Sequence, residues 1–340
     1  MAEEPKPARV RLSDVAERAG VTKSVASRVL NDDPTLSARP ETRHRVLAAA
    51  RALGYRAHAG AQALARSRAR AVALLIPELT NPVHSRIIRG AYRRAAERGH
   101  VVLLAEDTPQ AEAGESFTDL VGSGRVDGLL VASARPGHQL LQDSRLAGVP
   151  HVFVNREVPG SGRNVTVDLR AASALAAEHL AGLGHRRIGH VAGPSGTATG
   201  EARELGFREA LAKLGAPEPV VAHGEFGEPG GADAAARLLL EAPDVTAIYT
   251  SALPQAVGAL HALRRAGRRV PADVSLLTYD DLPLADYLDP PLTSIAMPLQ
   301  ELGAAAVDAL LDQLDGGEPR DVLVPGEPQV VDRASTAPAP

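Results

Sequence analysis

The 340-residue chain contains no cysteine, which excludes disulfides, a thiolate nucleophile and cysteine metal ligands, and its length predicts two or three domains. Its net charge of −4 is unevenly distributed, because the first 70 residues carry 14 Lys and Arg against 7 Asp and Glu. The rest of the chain holds 23 of the 37 basic and 34 of the 41 acidic side chains, and a basic head on an acidic body is typical of a modular DNA-binding protein.

Residues 1–9 are charged and contain proline, which predicts a disordered tail and not a secretory signal. The longest uncharged stretch, residues 245–263, is interrupted by Pro254, Gln255 and His261, so we expect no transmembrane helix and no membrane partner. These features together predict a cytoplasmic protein associated with the nucleoid.

Two short helices joined by a tight turn are predicted between Leu12 and Asn31. In the first helix, apolar residues recur at the spacing of one helix face, namely Leu12, Val15, Ala16 and Ala19. Ser13 is expected to cap the start of this helix, and Gly20 is expected to end it in a left-handed conformation.

The second helix follows Thr22, its expected N-cap, and turns Val25, Ala26, Val29 and Leu30 inward. The opposite face then carries Lys23, Ser24, Ser27 and Arg28. Cations and hydroxyls on a short exposed helix suit the edges of bases in a major groove. A surface helical hairpin without a role in DNA binding is the alternative interpretation.

A third helix is predicted from Pro40 to Leu53, with Val46, Leu47, Ala50 and Leu53 closing a three-helix core. Residues 10–57 would then form one helical module. Residues 58–70 are rich in alanine and arginine, and a free helix of this length is marginal in water. We expect this segment to order on DNA or against a second chain, and a plain linker is the alternative.

From Ala71 onward the pattern changes to short apolar runs that alternate with helical segments. The runs predict strands at residues 71–77, 100–105, 128–133, 151–155, 187–193, 247–251 and 275–279. The clearest helices are predicted at residues 82–98, 169–183, 201–214, 231–241, 254–266 and 299–314. This alternation favours parallel sheets covered on both faces, and its length favours two α/β lobes with a ligand cleft between them.

Several segments closely resemble the lac-repressor (LacI/GalR) family of bacterial transcriptional regulators, over about residues 10–335. They are DVAERAGVTKSVASRVLN (14–31), PETRHRVLAAARALGY (40–55), LGHRRIGHVAGP (183–194), RELGFREAL (203–211), VPADVSLLTYDD (270–281), DPPLTSI (289–295) and VDRAST (331–336). The resemblance implies an all-α helix-turn-helix head, a hinge helix, and a two-lobed α/β core like that of periplasmic sugar-binding proteins.

This resemblance also implies domain bounds. The head is residues 10–57, the hinge helix or linker is 58–70, and the effector-binding and dimerisation core is 71–335. Within the core, the N-lobe takes about residues 71–167 and 298–326. The C-lobe takes about 168–297 and 327–335, which leaves 336–340 as a tail.

Roles for individual residues come from the same resemblance. Lys23 and Ser24 match positions that choose operator bases, Arg28 matches an arginine that reaches DNA, and Leu64 matches a leucine that wedges into the minor groove. The full set of expected DNA contacts is Thr22, Lys23, Ser24, Ser27, Arg28, Asn31, His58, Ala61 and Leu64.

Effector-binding positions are expected at His84, Asn155, Arg203, Ala252 and Asp280. An arginine with two acceptors suits the recognition of hydroxyl groups. Three alternatives remain open: Asp280 as a turn cap, Arg203 in a surface ion pair, and Asn155 as a turn residue at a strand end.

Three of the departures from the family pattern concern the cleft and the second helix. Ala252-Leu253 replaces the usual Asn-Asp, which removes a polar contact from the cleft. Val83-His84 stands where two phenylalanines usually follow Asn-Pro, which removes an aromatic wall, and His84 offers a polar contact there instead. Val25-Ala26 replaces Thr-Val in the second helix, which removes a hydroxyl that contacts phosphate.

We therefore expect a homodimeric repressor that binds near-palindromic double-stranded operator DNA and responds to a small, sugar-like effector. The alternative is the same DNA-binding role without a sugar effector, either constitutive or controlled by a protein partner. No catalytic motif, metal-ligand spacing or cofactor signature occurs, so an enzyme is disfavoured. The basic head and the missing signal peptide oppose a secreted sugar-binding protein.

Overall fold

The computed structural model describes residues 10–31, 33, 35–55, 68–107, 117–132 and 148–340. The chain forms two compact units, residues 1–70 and residues 71–340. The predicted tail at 1–9 and residues 58–67 of the predicted hinge lie outside the described residues. Within the described ranges, no helix combines the length and the apolar character that crossing a bilayer requires.

The described part of the head contains three helices: α1 (Leu12–Ala19), α2 (Lys23–Leu30) and α3 (Pro40–Leu53). Their buried apolar residues form one core, made of Val15, Ala16, Ala19, Ala26, Val29, Val46, Ala49 and Ala50. The prediction for Leu47 is wrong, because this side chain is 37% exposed. Successive helix residues are about 100° apart, and the neighbouring Val46 takes the inward position.

The caps of the head helices match the prediction in two of three places. Gly20 ends α1 with a φ of 66°, and Thr22 Oγ1 accepts a hydrogen bond from the Val25 N–H at 3.3 Å. The prediction for Ser13 is wrong, because α1 begins at Leu12, which places Ser13 inside the first turn and makes Arg11 the N-cap residue. The Asp14 carboxylate accepts from the Arg11 N–H at 2.8 Å and supplies the cap instead.

The core contains all seven predicted strands and all six predicted helices. The strands from this set are β1 (Ala71–Ile76), β2 (Val101–Glu106), β3 (Gly128–Val131), β4 (His151–Val154), β6 (Ile188–Ala192), β8 (Ala247–Thr250) and β9 (Ser275–Tyr279). The helices are α4 (Val83–Glu97), α6 (Leu169–Gly182), α7 (Ala198–Lys213), α8 (Glu228–Glu241), α9 (Leu253–Arg265) and α10 (Leu299–Leu314).

Several short elements were not predicted. They are α5 (Phe117–Gly122), β5 (Asn164–Thr166), β7 (Val220–His223), β10 (Thr293–Ala296), β11 (Val322–Leu323), β12 (Gln329–Val331) and a 3-10 helix at Pro283–Tyr287.

The strands form two six-stranded sheets, one in each lobe. The N-lobe sheet has the order β11-β5-β4-β3-β1-β2, and the C-lobe sheet has the order β12-β10-β9-β8-β6-β7. Every pair is parallel except β10–β12, as the alternation of strands and helices predicted. The chain passes between the lobes three times, after β5, after β10 and after β11.

Helix pairs cover both faces of the C-lobe sheet. Tyr249 and Tyr279 lie in one buried cluster with side chains of α6 and α7, whereas Ile248 and Leu276 pack with those of α8 and α9. Because successive strand residues point to opposite faces, the two helix pairs lie on opposite sides of the sheet.

Residues 336–340, which were predicted to form a tail, make hydrogen bonds to the C-lobe. The Ala337 carbonyl accepts hydrogen bonds from His185 Nε2 at 3.0 Å and Ser275 Oγ at 3.2 Å, and the Ala339 N–H donates to the Leu183 carbonyl at 2.8 Å. His185 is buried and also lies 2.9 Å from Thr246 Oγ1, so it anchors this terminal segment.

Candidate DNA-binding helix and effector site

The outer face of α2 presents the polar residues that the sequence singled out. Lys23 and Ser24 are exposed in its first turn, next to the exposed N-cap residue Thr22. Ser27 and Arg28 are partly exposed one turn later. Asn31 ends the helix, and its amide donates to Ser27 Oγ at 3.4 Å.

Arg28 is tied to the loop that follows α2. Its Nε donates to Asp33 Oδ2 at 2.7 Å, and its terminal NH2 group donates to Thr35 Oγ1 at 2.8 Å. The hydrogen bond from Arg28 lowers the pKa of Asp33 to about 2, with a further contribution from Thr35. The carboxylate is therefore ionised at any pH at which the head is expected to meet DNA.

Three predicted DNA contacts, His58, Ala61 and Leu64, lie outside the described residues.

In the C-lobe, α7 places Arg203 at the carboxyl end of the sheet. The guanidinium is buried, and its NH1 donates to the Ser251 carbonyl at 2.6 Å, directly after β8. The guanidinium carbon lies 3.9 Å from the centre of the Tyr279 ring and 5.8 Å from that of Phe226. No ion pair involves Arg203 among the described residues, which argues against its interpretation as a surface ion-pair residue.

Asp280 follows β9 directly and adopts a left-handed backbone conformation, with a φ of 71°. It is 1% exposed, and neither carboxylate oxygen has a hydrogen-bond partner among the described residues. This argues against the turn-cap interpretation. Burial raises the pKa of Asp280 to about 6, whereas the nearby positive charge of Arg203 acts in the opposite direction.

A stack of buried aromatic rings lies next to Ser251. The rings of His190 and Tyr249 are stacked with their centres 4.8 Å apart, and Phe207 stacks on Tyr249 at 4.6 Å. His190 Nε2 lies 2.9 Å from Ser251 Oγ. Burial lowers the pKa of His190 to about 3, so the imidazole is neutral.

The contact between His190 and Ser251 has the spacing of a base and a nucleophile. Both residues are fully buried, and the other imidazole nitrogen has no hydrogen-bond partner among the described residues. Among the described residues, no carboxylate therefore orients the ring as a Ser-His-Asp triad requires. The structure describes no group of three His, Asp or Glu side chains that suits a metal ion.

The N-lobe residues of the predicted site lie on the segments that follow β4 and β1. Asn155 follows β4 directly with a φ of 57°, and its Oδ1 has no hydrogen-bond partner among the described residues. His84 lies in the first turn of α4, with Nδ1 3.0 Å from the Glu78 carbonyl, and burial lowers its pKa. In the described part of the chain, no hydrogen bond or ion pair joins these two residues to Arg203 or Asp280.

One further feature of the site agrees with the sequence analysis, and two were absent from it. Ala252 is 2% exposed at the start of α9 and presents no polar group. Phe226 supplies an aromatic ring beside Arg203, although the sequence analysis found the usual aromatic wall missing. The buried amide of Gln255 lies within 3.1 Å of the carbonyls of Ala192, Gly224 and Glu225, and so holds the loop that carries Phe226.

Comparison with known proteins gives consistent results for both units. The family described as "Bacterial regulatory proteins, lacI family" matches residues 11–58, and the periplasmic binding protein-like domain matches residues 177–336. The transcriptional repressor CytR of Escherichia coli K12 is 33% identical over 309 residues, which cover 90% of each chain.

Two solved structures extend the similarity over almost the whole chain. A complex of the transcriptional regulator CelR with cellobiose is 32% identical, with a TM-score of 0.73, and the match covers 96% of this chain and 100% of CelR. The lac repressor dimer bound to operator and the anti-inducer ONPF is 28% identical, with a TM-score of 0.84 over 97% and 99% of the two chains. With its helix-turn-helix head and its two-lobed α/β core, the chain belongs to the LacI family and is a DNA-binding transcriptional regulator.

Proposed function

We propose that the protein is an operator-binding repressor whose affinity for DNA is set by a small polyhydroxyl effector, a carbohydrate or a related metabolite. The observation that carries this proposal is Asp280, a buried carboxylate without a hydrogen-bond partner among the described residues, beside the buried guanidinium of Arg203. An unsatisfied buried acceptor is costly unless a ligand supplies donors.

The chemistry of these groups suits a neutral ligand with several hydroxyls. Asp280 accepts hydrogen bonds, Arg203 donates them, and a hydroxyl group does both. Phe226 offers a ring face for the apolar side of a sugar. Asn155 and His84 are the N-lobe residues that we propose meet the same ligand. A solved complex of the related regulator CelR contains cellobiose, which is a ligand of this chemical kind.

For DNA binding, we propose that α2 enters the major groove with Lys23 and Ser24 at its exposed first turn. Thr22, Ser27, Arg28 and Asn31 complete the contacts from this helix. His58, Ala61 and Leu64 remain proposals that rest on the family resemblance alone. The lac repressor binds its operator as a dimer, which supports a near-palindromic site read by two copies of this chain in the cytoplasm.

We propose that the homodimer uses the edge of the N-lobe sheet. β2 is the edge strand, and Val101, Leu103 and Leu104 are each more than 40% exposed. An apolar edge strand left in water promotes association. A second copy packed on this edge would cover it.

One alternative has a specific observation in its favour. Ala252 and Leu253 are buried and place no polar group at the end of β8. A cleft with fewer polar groups is what a regulator without a sugar effector would have, whether constitutive or controlled by a protein partner.

The experiment that separates these alternatives is a ligand-induced thermal shift with a panel of neutral mono- and disaccharides. We expect at least one carbohydrate to raise the melting temperature of the wild-type protein, and Asp280→Asn to abolish this shift. Asp233→Asn is the matched control, because Asp233 is exposed on α8 and is not one of the proposed effector-binding residues.

A carbohydrate shift that Asp280→Asn leaves intact would overturn the assignment of the effector site. No shift with any member of the panel would favour the regulator without a sugar effector.

A further inference from the structure

The side chains of Arg28, Asp33 and Thr35 form a closed ring of hydrogen bonds at the end of α2. Arg28 donates from Nε to one carboxylate oxygen of Asp33 and from its NH2 group to the hydroxyl of Thr35. The Thr35 hydroxyl donates its own proton to the other carboxylate oxygen, at 2.7 Å. Each of the three groups is therefore bonded to the other two.

The backbone of the loop holds Asp33 in place for this contact. The Asp33 N–H donates to the Arg28 carbonyl at 3.0 Å, and the Thr35 N–H donates to Asp33 Oδ1 at 2.8 Å. The Leu36 N–H donates to the Asp33 carbonyl, and Leu36 packs against the core of the head. The carboxylate is thus positioned by the fold and not only by its attraction to arginine.

The ring leaves a defined set of donors available on Arg28. Its Nε–H and one N–H of NH2 are engaged, and the other three N–H groups of the guanidinium make no hydrogen bond to the described residues. Two donors side by side in a plane match the paired acceptors on a base edge in the major groove. A flexible arginine would lose more rotamer freedom to present the same donors.

Charge gives the ring a second consequence. Arg28 and Asp33 together carry no net charge, and Arg28 is 41% and Asp33 28% exposed at the side chain. A neutral pair gains little from phosphates of any sequence, whereas a lone arginine is attracted to all of them. The ring should therefore weaken binding to unrelated DNA relative to binding at the correct bases.

We propose that Asp33 and Thr35 are positioning residues that orient Arg28 for base recognition and suppress its general attraction to phosphate. This inference rests on the proposed entry of α2 into the major groove. Base specificity would then depend on two loop residues between α2 and α3, Asp33 and Thr35. They contact Arg28 and need not contact DNA.

The test uses the full-length protein and a duplex selected by the wild type from a random library. Dissociation constants are measured at one salt concentration for that duplex, for its single-base variants and for a scrambled duplex. We expect Asp33→Asn to reduce the ratio of specific to scrambled affinity by about tenfold, at the base positions that Arg28→Ala also affects. Binding to the scrambled duplex should become tighter, because one negative charge is lost.

Glu17→Gln is the control for charge, because Glu17 is exposed on α1 and its side chain is not part of the ring. It should tighten binding to both duplexes and leave their ratio unchanged. Thr35→Val is the second variant, because it removes the hydroxyl and keeps the charge of the head. It should lower the ratio without tightening scrambled binding.

Three results would overturn the inference. If Asp33→Asn behaves like Glu17→Gln and Thr35→Val changes nothing, the ring does not position Arg28. If Asp33→Asn strengthens specific binding more than scrambled binding, Asp33 competes with DNA for Arg28. If Arg28→Ala leaves the base preference unchanged, the proposed contact of Arg28 with a base fails as well, which distinguishes that failure from the first.

Discussion

Asp280, at the scale of one residue, combines two unfavourable features in the proposed effector site. Its backbone is left-handed without being glycine, and its carboxylate is buried without a hydrogen-bond partner among the described residues. Such strained and desolvated groups are typical of functional sites. Burial raises the pKa of Asp280 to about 6, because the folded protein disfavours the ionised form of the carboxylate.

This raised pKa predicts how Asp280→Asn changes stability with pH. The folded pKa of about 6 lies above the ordinary value of 3.8, so the folded state holds the proton more tightly than the unfolded state. The contribution of Asp280 is therefore fully present below about pH 4 and is lost as the pH rises through 6. We expect Asp280→Asn to raise the free energy of unfolding at about pH 8 by up to about 3 kcal/mol, and to change it little at about pH 4.

Urea unfolding of the effector-free protein at these two pH values measures the difference. Asp273→Asn provides a control of opposite sign, because hydrogen bonds from Arg269 hold the pKa of Asp273 well below its usual range. That variant should be less stable than the wild type at the higher pH. A stability gain for Asp280→Asn that is equal at both pH values would contradict the raised pKa.

Sequence reasoning at this scale found the residues that the family pattern marks and missed those that the fold brings to them. Arg203 and Asp280 stand in recognisable motifs. Phe226 and Gln255 are 29 residues apart along the chain, and only the packing of α9 against the loop after β7 joins them. The ring of Arg28 with Asp33 and Thr35 likewise depends on the conformation of a loop.

At the scale of elements, continuous apolar runs identified the central strands because those strands are buried on both faces. β11 and β12 lie at sheet edges and have only two and three residues, too few to show a period. β7 is also an edge strand, and its residues are only partly buried. A run of apolar residues, and not burial alone, therefore decided which strands were predictable. The exposed edge strand β2 contains five apolar residues and was predicted, whereas the buried strand β10 begins with Thr293 and Ser294 and was not.

The pair α8–α9 depends on glycine in a way that periodicity does not reveal. A Cβ atom on Gly258 would overlap the Glu228 carbonyl oxygen and lie 2.6 Å from the Ala232 nitrogen, and one on Gly231 would overlap the Gln255 backbone. The two helices thus approach backbone to backbone. This close approach places Gln255 within reach of the loop that carries Phe226.

We therefore expect Gly258→Ala to destabilise the protein by about 1–3 kcal/mol or more, because the helices must separate to admit the methyl group. Gly182→Ala is the matched control: Gly182 is the exposed last residue of α6, and its Cβ would meet no atom within 4 Å. This control should be neutral or stabilising by up to about 1 kcal/mol. Thermal unfolding of both variants tests this difference in stability, and equal melting temperatures would contradict the close approach of the two helices.

At the scale of the whole molecule, the alternation of strands and helices was sufficient to predict parallel sheets in two lobes. It was not sufficient to predict that the chain crosses between the lobes three times, because the crossing segments carry no pattern of their own. The lobe bounds in the sequence analysis came from the family resemblance. The same resemblance supplied the division of labour between a DNA-binding head and an effector-binding core.

Control of DNA binding by an effector requires a large difference in its binding free energy between two states of the molecule. To shift the ratio of the DNA-binding state to the non-binding state from 99:1 to 1:99, an effector must prefer the non-binding state by about 5.5 kcal/mol. The proposed site at Asp280 and Arg203 would therefore have to bind the effector much better in one arrangement of the core than in the other. An effector that binds both arrangements equally would leave the head unaffected.

The most direct measurement of this central claim is the affinity of the protein for a selected fluorescent duplex, with and without the carbohydrate that shifts its melting temperature. We predict that the carbohydrate changes the dissociation constant of the wild type by at least about tenfold. Asp280→Asn should bind the duplex as the wild type does and ignore the carbohydrate, whereas Asp233→Asn should respond normally. A carbohydrate that binds at Asp280 and leaves DNA affinity unchanged would contradict the account.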